Sequence, residues 1–447
     1  MEHLHATWKY HYHVVGAAGV GMNPLAQVLI SQGHTVTGSD RYFDQAQDLD
    51  IIRKLKEAGL LFVKQDGNSI TPQTKAVVIS TAIEADNPDV VAAKQMNIPI
   101  LHRAEMLANL AKGKRLIAIT GTSGKSTVTG MLGFILTACG QDPTVVNGAV
   151  VLDWQDKQHI GNIRKGRSDL WLLEADESDK SLMHFHPDWA IITNASADHF
   201  GTEETHSLFQ KFSGQVNNGI VSRLYNPELF EEFAPTITRD GSEFEFHGTK
   251  FILNLPGVHN AENAYYALLM AQKLRCDMET ARKALEVFKG IQRRLELVGS
   301  TGDINVIDDY AHNPAKITAS WRALSPSAKR LLVIWRPHGY GPLRSMMDDL
   351  VTQLPAVARK DDIMYIMPVY DAGGTADRSI NSDVLASRLS KAGMNVNFIK
   401  HMDYIKRDII NTARPGDTIV TMGARDPQLP IIAREILEAL KNCKKSA

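Results

Sequence analysis

The sequence predicts an α/β protein of three successive domains, each built on a mainly parallel sheet. Three observations lead there. Short apolar runs of strand length alternate with stretches whose apolar residues recur at helical spacing, the pattern of parallel sheets flanked by helices. The alternation restarts twice, at the polar stretch Ala111-Lys-Gly-Lys-Arg115 and near Val298–Asp303. A chain of 447 residues is also too long for one hydrophobic core. The expected domain limits are 1–112, 113–297 and 298–447.

In the first domain His13–Gly16 reads as a strand running into a glycine-rich turn, and Met22, Leu25, Ala26 and Leu29 follow at helical spacing. Thr35–Gly38, Ala76–Ser80 and Ile98–Leu101 read as further strands, with Asp89–Gln95 helical between the last two. The expectation is a Rossmann-like domain. Its turn, Gly16-Ala-Ala-Gly19-Val-Gly21-Met22, with Asp40 at the end of the second strand, can seat a pyrophosphate on a helix N-terminus. A dinucleotide fingerprint would carry glycine where Ala18 stands. Three readings stay open at this point: a structural turn, a redox dinucleotide site and a site for another diphosphate.

The second domain opens on the most informative run of the chain. Leu116–Ile119 reads as a buried strand, Thr127–Leu136 as an amphipathic helix, and Gly121-Thr122-Ser-Gly124-Lys125-Ser126-Thr127 joins them. The glycines let several N–H groups point at one phosphate, Lys125 adds a mobile cation, and Ser126 or Thr127 offers a hydroxyl to a phosphate-bound Mg²⁺. The usual P-loop spacing would put its first glycine at Ile119, so this is a compact variant. A nucleoside triphosphate is the implied ligand, and a P-loop ATPase-like domain with a mostly parallel sheet the implied fold. After the apolar run Leu170–Leu173 comes Glu174-Ala-Asp-Glu-Ser-Asp179, carboxylates suited to Mg²⁺. A second run, Trp189–Thr193, leads to Asn194 and Ala197-Asp198-His199. Adjacent strand ends of a parallel sheet deliver these groups to the crevice of the phosphate loop. Asn217–Lys250 lacks periodicity and reads as an antiparallel edge. In the third domain Val306–Asp308, Leu331–Trp335, Ile363–Met367 and Thr418–Thr421 read as strands separated by helices, again Rossmann-like.

Composition narrows the function. Hydrophobic residues make up 44% and charged residues 22%, as in an ordinary globular protein. A net charge of −1 gives no electrostatic basis for nucleic acid or an anionic membrane as partner. Three scattered cysteines, Cys139, Cys276 and Cys443, show neither metal-ligand nor disulfide spacing and suit a reducing cytosol. The first residues lack the basic and apolar regions of a signal peptide. No apolar run reaches the roughly 18 residues of a membrane span. A cytoplasmic location is expected, as monomer or dimer.

Together these blocks resemble the Mur ligase family, ATP-dependent amide-forming enzymes of peptidoglycan precursor synthesis. The compact loop 121–127 carries the resemblance. So do Glu174–Asp179, Asn194…Asp198-His199, Gly257-Val-His-Asn260-Ala-Glu-Asn263, Arg293-Arg294 and Asp308-Asp-Tyr-Ala-His312-Asn-Pro314, in order from about residue 11 to about 430. The resemblance implies that Lys125 bridges the β- and γ-phosphates of ATP and that Ser126 and Glu174 hold Mg²⁺, with His199 at a second metal. Asn260 and Asn263, three apart on a helix, would meet adenine, and Asp309 the ribose. Arg293 or Arg294 would neutralise the γ-phosphate, with ATP clamped between two domains. Lys211 is the position for a carbamylated lysine. Gly16, Gly19, Gly21 and Asp40 would bind a UDP-N-acetylmuramate-like nucleotide sugar, and His312, His338 and Arg344 the amino acid or short peptide. His199 and His312 are candidate bases for the incoming ammonium.

Departures from the family pattern fall in the substrate-reading parts. Ala18 replaces a glycine, and Gln65-Asp66 stands where the family often has Gly-His, so Asp66 repels a diphosphate unless it turns away. Arg336-Pro-His338-Gly-Tyr-Gly-Pro-Leu-Arg344 resembles a Pro-His-Arg-Tyr-x-Arg stretch, with Gly339 and Pro342 in place of its arginines. The implied reaction is ATP-driven joining of the UDP-N-acetylmuramate carboxylate to L-alanine or a related amino acid. Attachment of a tripeptide, or a different carboxylate, is the alternative.

Overall fold

The structure, a computed structural model, describes residues 9–195, 201–238, 241–371 and 377–445. It forms the expected α/β architecture. Two compact units are present, one from Met1–Phe233 with Glu262–Lys289, the other from Ala234–Ala261 with Gly290–Ala447.

The first unit holds two sheets. In the N-terminal one, His11–Val15 is central, flanked by Thr35–Ser39 and Leu61–Val63 on one side and Thr74–Ile79 and Ile100–His102 on the other, all parallel. The order changes direction at His11–Val15, and the glycine turn leaves from its carboxyl end, where an open α/β sheet leaves a crevice for ligands. The second sheet runs Gly219–Val221, Trp189–Ile192, Arg115–Thr120, Leu170–Glu174, Thr144–Val146 and Ile163–Arg164, parallel except for the last. Ile119 pairs with both Ile191 and Glu174, so the phosphate loop emerges between the strand ends that carry Asn194 and the acidic run. The helix behind the loop, Lys125–Ala138, buries Val128, Met131, Leu132, Ile135 and Leu136, one apolar stripe at helical spacing that anchors the loop to the core.

The second unit contains a six-stranded sheet in the order Glu296–Thr301, Ile304–Asp309, Asp417–Met422, Arg330–Trp335, Ile363–Ile366 and Val396–Phe398. Only the first pairing is antiparallel. Both faces are covered by apolar cores, one around Trp321 and Trp335, the other around Tyr365 and Ile436. The expected antiparallel edge in 217–250 is instead a separate three-stranded sheet, Thr236–Ile237, Ser242–Phe246 and Thr249–Leu253, within this unit. Among the described residues no helix is long and apolar enough to cross a membrane.

Candidate active site

Glycine is required twice in the phosphate loop. Gly124 caps the helix at φ +85°, and a β-carbon on it would collide with Asn263 Oδ1. Gly121 has φ +130°, and its β-carbon would overlap Thr193 Oγ1. The loop is thus folded onto its neighbours, which also bond to it. Asn194 Oδ1 accepts from Ser123 N at 3.0 Å and from the Thr122 hydroxyl at 2.5 Å, while Thr193 Oγ1 donates to Ser123 O at 2.6 Å. Asn147 Nδ2 donates to Ser126 O at 3.1 Å. Thr122, Ser126, Thr127 and Asn263 are all buried.

Lys125 Nζ donates to Gly121 O at 2.8 Å and to Glu177 Oε2 at 2.6 Å. Burial alone would pull the ammonium down; Glu177, Glu174 and Asp176 outweigh it and hold Lys125 above its ordinary value. Lys125 is therefore a fixed cation at the mouth of the loop. Glu177, fully buried, is the residue that sequence reasoning missed, because nothing in a run of four carboxylates says which one packs on the lysine. Glu174, at the end of its strand, accepts from Gly148 N at 2.8 Å. Asp176 and Asp179 share Arg103 at 3.3 and 3.2 Å.

His199 lies outside the described residues. Lys211 is corrected by the structure. It is exposed in the last turn of Thr202–Ser213, about 14 Å along the axis from the helix start. The chain just beyond it bonds back to Pro187 and Asp188, before the strand Trp189–Ile192. Lys211 thus sits at the sheet edge opposite the phosphate loop, out of reach of a metal there.

In the N-terminal turn, Gly16 N and Ala17 N donate to Ser39 O, and Gly19 N to Gly16 O. Gly21 precedes the helix Met22–Ser31 with no side chain capping it; Met22 N and Asn23 N donate to Gly19 O instead, and Pro24 has no N–H, so the first helical turn is closed onto the glycine turn itself. Asp40 accepts from Ala18 N and Tyr42 N, both at 2.9 Å, so it braces the turn. Ala18 is absent from the positive-φ positions, so the alanine fits without strain. Asp66 is exposed and accepts from Asn68 N at 3.0 Å, turned into its own loop.

The second unit sorts the remaining candidates. Arg293, at φ +58°, points its guanidinium at Asp308 (3.0 Å) and Gly423 O (2.6 Å). Arg294 also lies over Tyr310, at 5.1 Å against 5.2 Å for Arg293, and makes no ion pair among the described residues, so its guanidinium is the less committed of the two. Asp309 accepts from Tyr310 N, Leu295 N and the Ser320 hydroxyl; a carboxylate has about four acceptor sites, so one remains for a ribose hydroxyl. Asn260 donates to Pro256 O at 2.8 Å. Arg344 is held by Asp377 and Ser379, both at 2.7 Å, in an exposed contact. His312 Nδ1 lies 2.8 Å from Tyr310 O, which can only accept, so Nδ1 carries the proton and Nε2 keeps its lone pair. Burial, then the charge of Lys316, pushes His312 down to about 3; burial, Arg425 and Lys316 push His338 down to about 4. Both rings are neutral at pH 7 and act as acceptors, and so low a value makes His312 a weak proton acceptor for the ammonium.

Burial raises Asp308 from 3.8 to about 6 in spite of Arg293. A carboxyl whose folded value lies above its unfolded value favours folding at low pH, and that contribution is lost as pH rises through about 6. Over this window Tm of Asp308→Asn minus Tm of the wild type should therefore rise with pH, as measured by thermal unfolding. A flat difference would mean that Arg293 keeps Asp308 ionised throughout.

Three family models match the chain: "Mur ligase family, catalytic domain" over residues 11–115, "Mur ligase middle domain" over 119–213, and "Mur ligase, glutamate ligase domain" over 293–425. The UDP-N-acetylmuramate–L-alanine ligase of Myxococcus xanthus is 33% identical, over 96% of this chain and 95% of its own. That of Caldicellulosiruptor saccharolyticus is 32% identical, over 93% and 96%. Among solved structures, the UDP-N-acetylmuramate–alanine ligase of Thermotoga maritima shares the fold with a TM-score of 0.79 at 24% identity, over 97% of this chain and 99% of its own. With likeness along nearly its whole length, and with the loop and strand-end groups in place, the chain belongs to the Mur ligase family.

Proposed function

We propose that this chain is an ATP-dependent, ADP-forming ligase that joins the carboxylate of UDP-N-acetylmuramate to the amine of L-alanine, in peptidoglycan precursor synthesis in the cytoplasm. Residues 1–112 take the nucleotide sugar, 113–297 take ATP, and 298–447 take the amino acid. The names of the curated relatives favour a single amino acid over a tripeptide.

A carboxylate does not acylate an amine at neutral pH. Its oxygen therefore attacks the γ-phosphorus, releasing ADP and forming an acyl phosphate; the amine then attacks the carbonyl carbon, phosphate departs, and the ammonium proton is lost. The observation that carries this reading is the fixed Lys125 cation among Glu177, Glu174 and Asp176, at the N-terminus of the helix Lys125–Ala138. Lys125 neutralises the transferring phosphoryl group, and the Gly121–Thr127 backbone cradles the phosphates. Mg²⁺ fits the donor set. Ser126 and Glu174 offer hard oxygens, with His199 as a further ligand, and Glu177 Oε1 is buried without a hydrogen-bond partner. When bound, the ion supplies further charge neutralisation on the phosphates. Asn260 and Asn263 are assigned to adenine, Asp309 to the ribose, Arg294 to the γ-phosphate, and Gly16, Gly19 and Gly21 to the diphosphate of the sugar nucleotide. His312 Nε2 accepts a hydrogen bond from the incoming amine. The test is phosphate release from Mg-ATP, which should require both UDP-N-acetylmuramate and L-alanine; release that ignores either would overturn the proposal.

A further inference from the structure

Three adjacent parallel strands of the second unit end in register. Met422 of Asp417–Met422 pairs with Asp309 on one side and with Trp335 on the other. Three residues beyond each of these positions stand His312, Arg425 and His338. The sheet therefore delivers two histidines and an arginine to one edge, with the strand that carries Arg425 in the middle. The imidazoles meet edge to face at 4.9 Å between centroids, and His338 Nδ1 is buried without a hydrogen-bond partner.

Arg425 is exposed and holds φ +65°, a region that glycine enters freely and a residue with a β-carbon seldom adopts. The turn is fixed by its neighbour. Asp426 N donates to Ala424 O at 2.8 Å, and the Asp426 carboxylate takes Arg336 at 2.7 Å and Gln428 N at 2.9 Å. Three other arginines of this unit have partners already: Arg293 has Asp308, Arg336 has Asp426, and Arg344 has Asp377. Arg425 makes no ion pair among the described residues. Gly339 and Pro342, just past His338, bring no side-chain charge.

We propose that Arg425 binds the α-carboxylate of the incoming amino acid, beside His312 and His338, and so selects an α-amino acid over a simple amine. The assignment rests on the ligase reading above. An α-amino acid presents an anion next to an ammonium, and a guanidinium next to neutral nitrogen acceptors is the complementary pair. The neutrality of both rings at pH 7 is consistent with this.

The test compares L-alanine with L-alaninamide, which keeps the amine and lacks the carboxylate, in the wild type, Arg425→Gly and Arg425→Lys. Loss of a charge-assisted contact should raise the KM for L-alanine about 10- to 100-fold in Arg425→Gly, with the KM for alaninamide little changed. Arg425→Lys should recover part of the loss. Glycine relieves the positive-φ strain, so Tm should hold or rise, which separates lost binding from lost folding. An unchanged KM for L-alanine and an unchanged preference over alaninamide in Arg425→Gly would overturn this assignment alone. Absence of amine-dependent turnover in the wild type would overturn the ligase reading and this assignment with it.

Discussion

Replacing Lys125 with alanine should lower kcat by about three orders of magnitude, the loss expected when a cation aimed at a transferring phosphoryl group is removed. The same substitution should destabilise the fold. Glu177 is 1% exposed and relies on the Lys125 ammonium 2.6 Å away; a buried charge stripped of its partner costs about 3–5 kcal/mol. The two effects are separable. Adding Glu177→Gln to Lys125→Ala removes the stranded charge, so thermal stability should recover while turnover does not. A double variant that regains activity would show that Lys125 serves the fold and not the phosphate.

Gly121→Ala should be the most damaging single methyl in the loop. At φ +130° its β-carbon would overlap Thr193 Oγ1 and lie 3.0 Å from the backbone nitrogens of Thr193 and Asn194. Backbone atoms of a buried strand end cannot yield as a flexible side chain can. Strain and overpacking together predict a loss of about 2–4 kcal/mol, and a loop shifted by about 1 Å should lower kcat/KM for ATP about 100-fold. Gly113→Ala is the control. Its φ is +74° with open space around it, so it should cost only about 1 kcal/mol and leave kcat/KM intact. Equal effects at the two sites would refute the collision.

Much of this was legible in the residues, for identifiable reasons. The apolar run Leu116–Ile119 marked the strand Arg115–Thr120 because burial on both faces leaves a continuous hydrophobic signal. The helix behind it begins at Lys125, two residues before the expected Thr127, because Gly124 in the left-handed region caps it and spacing does not report φ. Asn217–Lys250 was opaque because its strands run only two to five residues and are divided between two sheets: Gly219–Val221 joins the six-stranded sheet, while Thr236–Ile237, Ser242–Phe246 and Thr249–Leu253 pair with one another. Arg293 and Arg294 are chemically alike neighbours, and both guanidinium groups lie over Tyr310; only the turn at Arg293 brings one of them to Asp308 as well. Glu177 and Arg425 were invisible for a common reason. Each owes its place to packing or strand register between segments distant in sequence, and no local pattern records it.

The most direct test of the acyl-phosphate route labels the carboxylate. UDP-N-acetylmuramate carrying ¹⁸O in its muramoyl carboxylate is incubated with Mg-ATP and L-alanine, and the released phosphate is analysed by mass. The account predicts one labelled oxygen in each phosphate, because the oxygen that attacks phosphorus leaves with it when the amine displaces the acyl group. Unlabelled phosphate would mean that ATP is cleaved without phosphorylating the carboxylate, and would contradict the account.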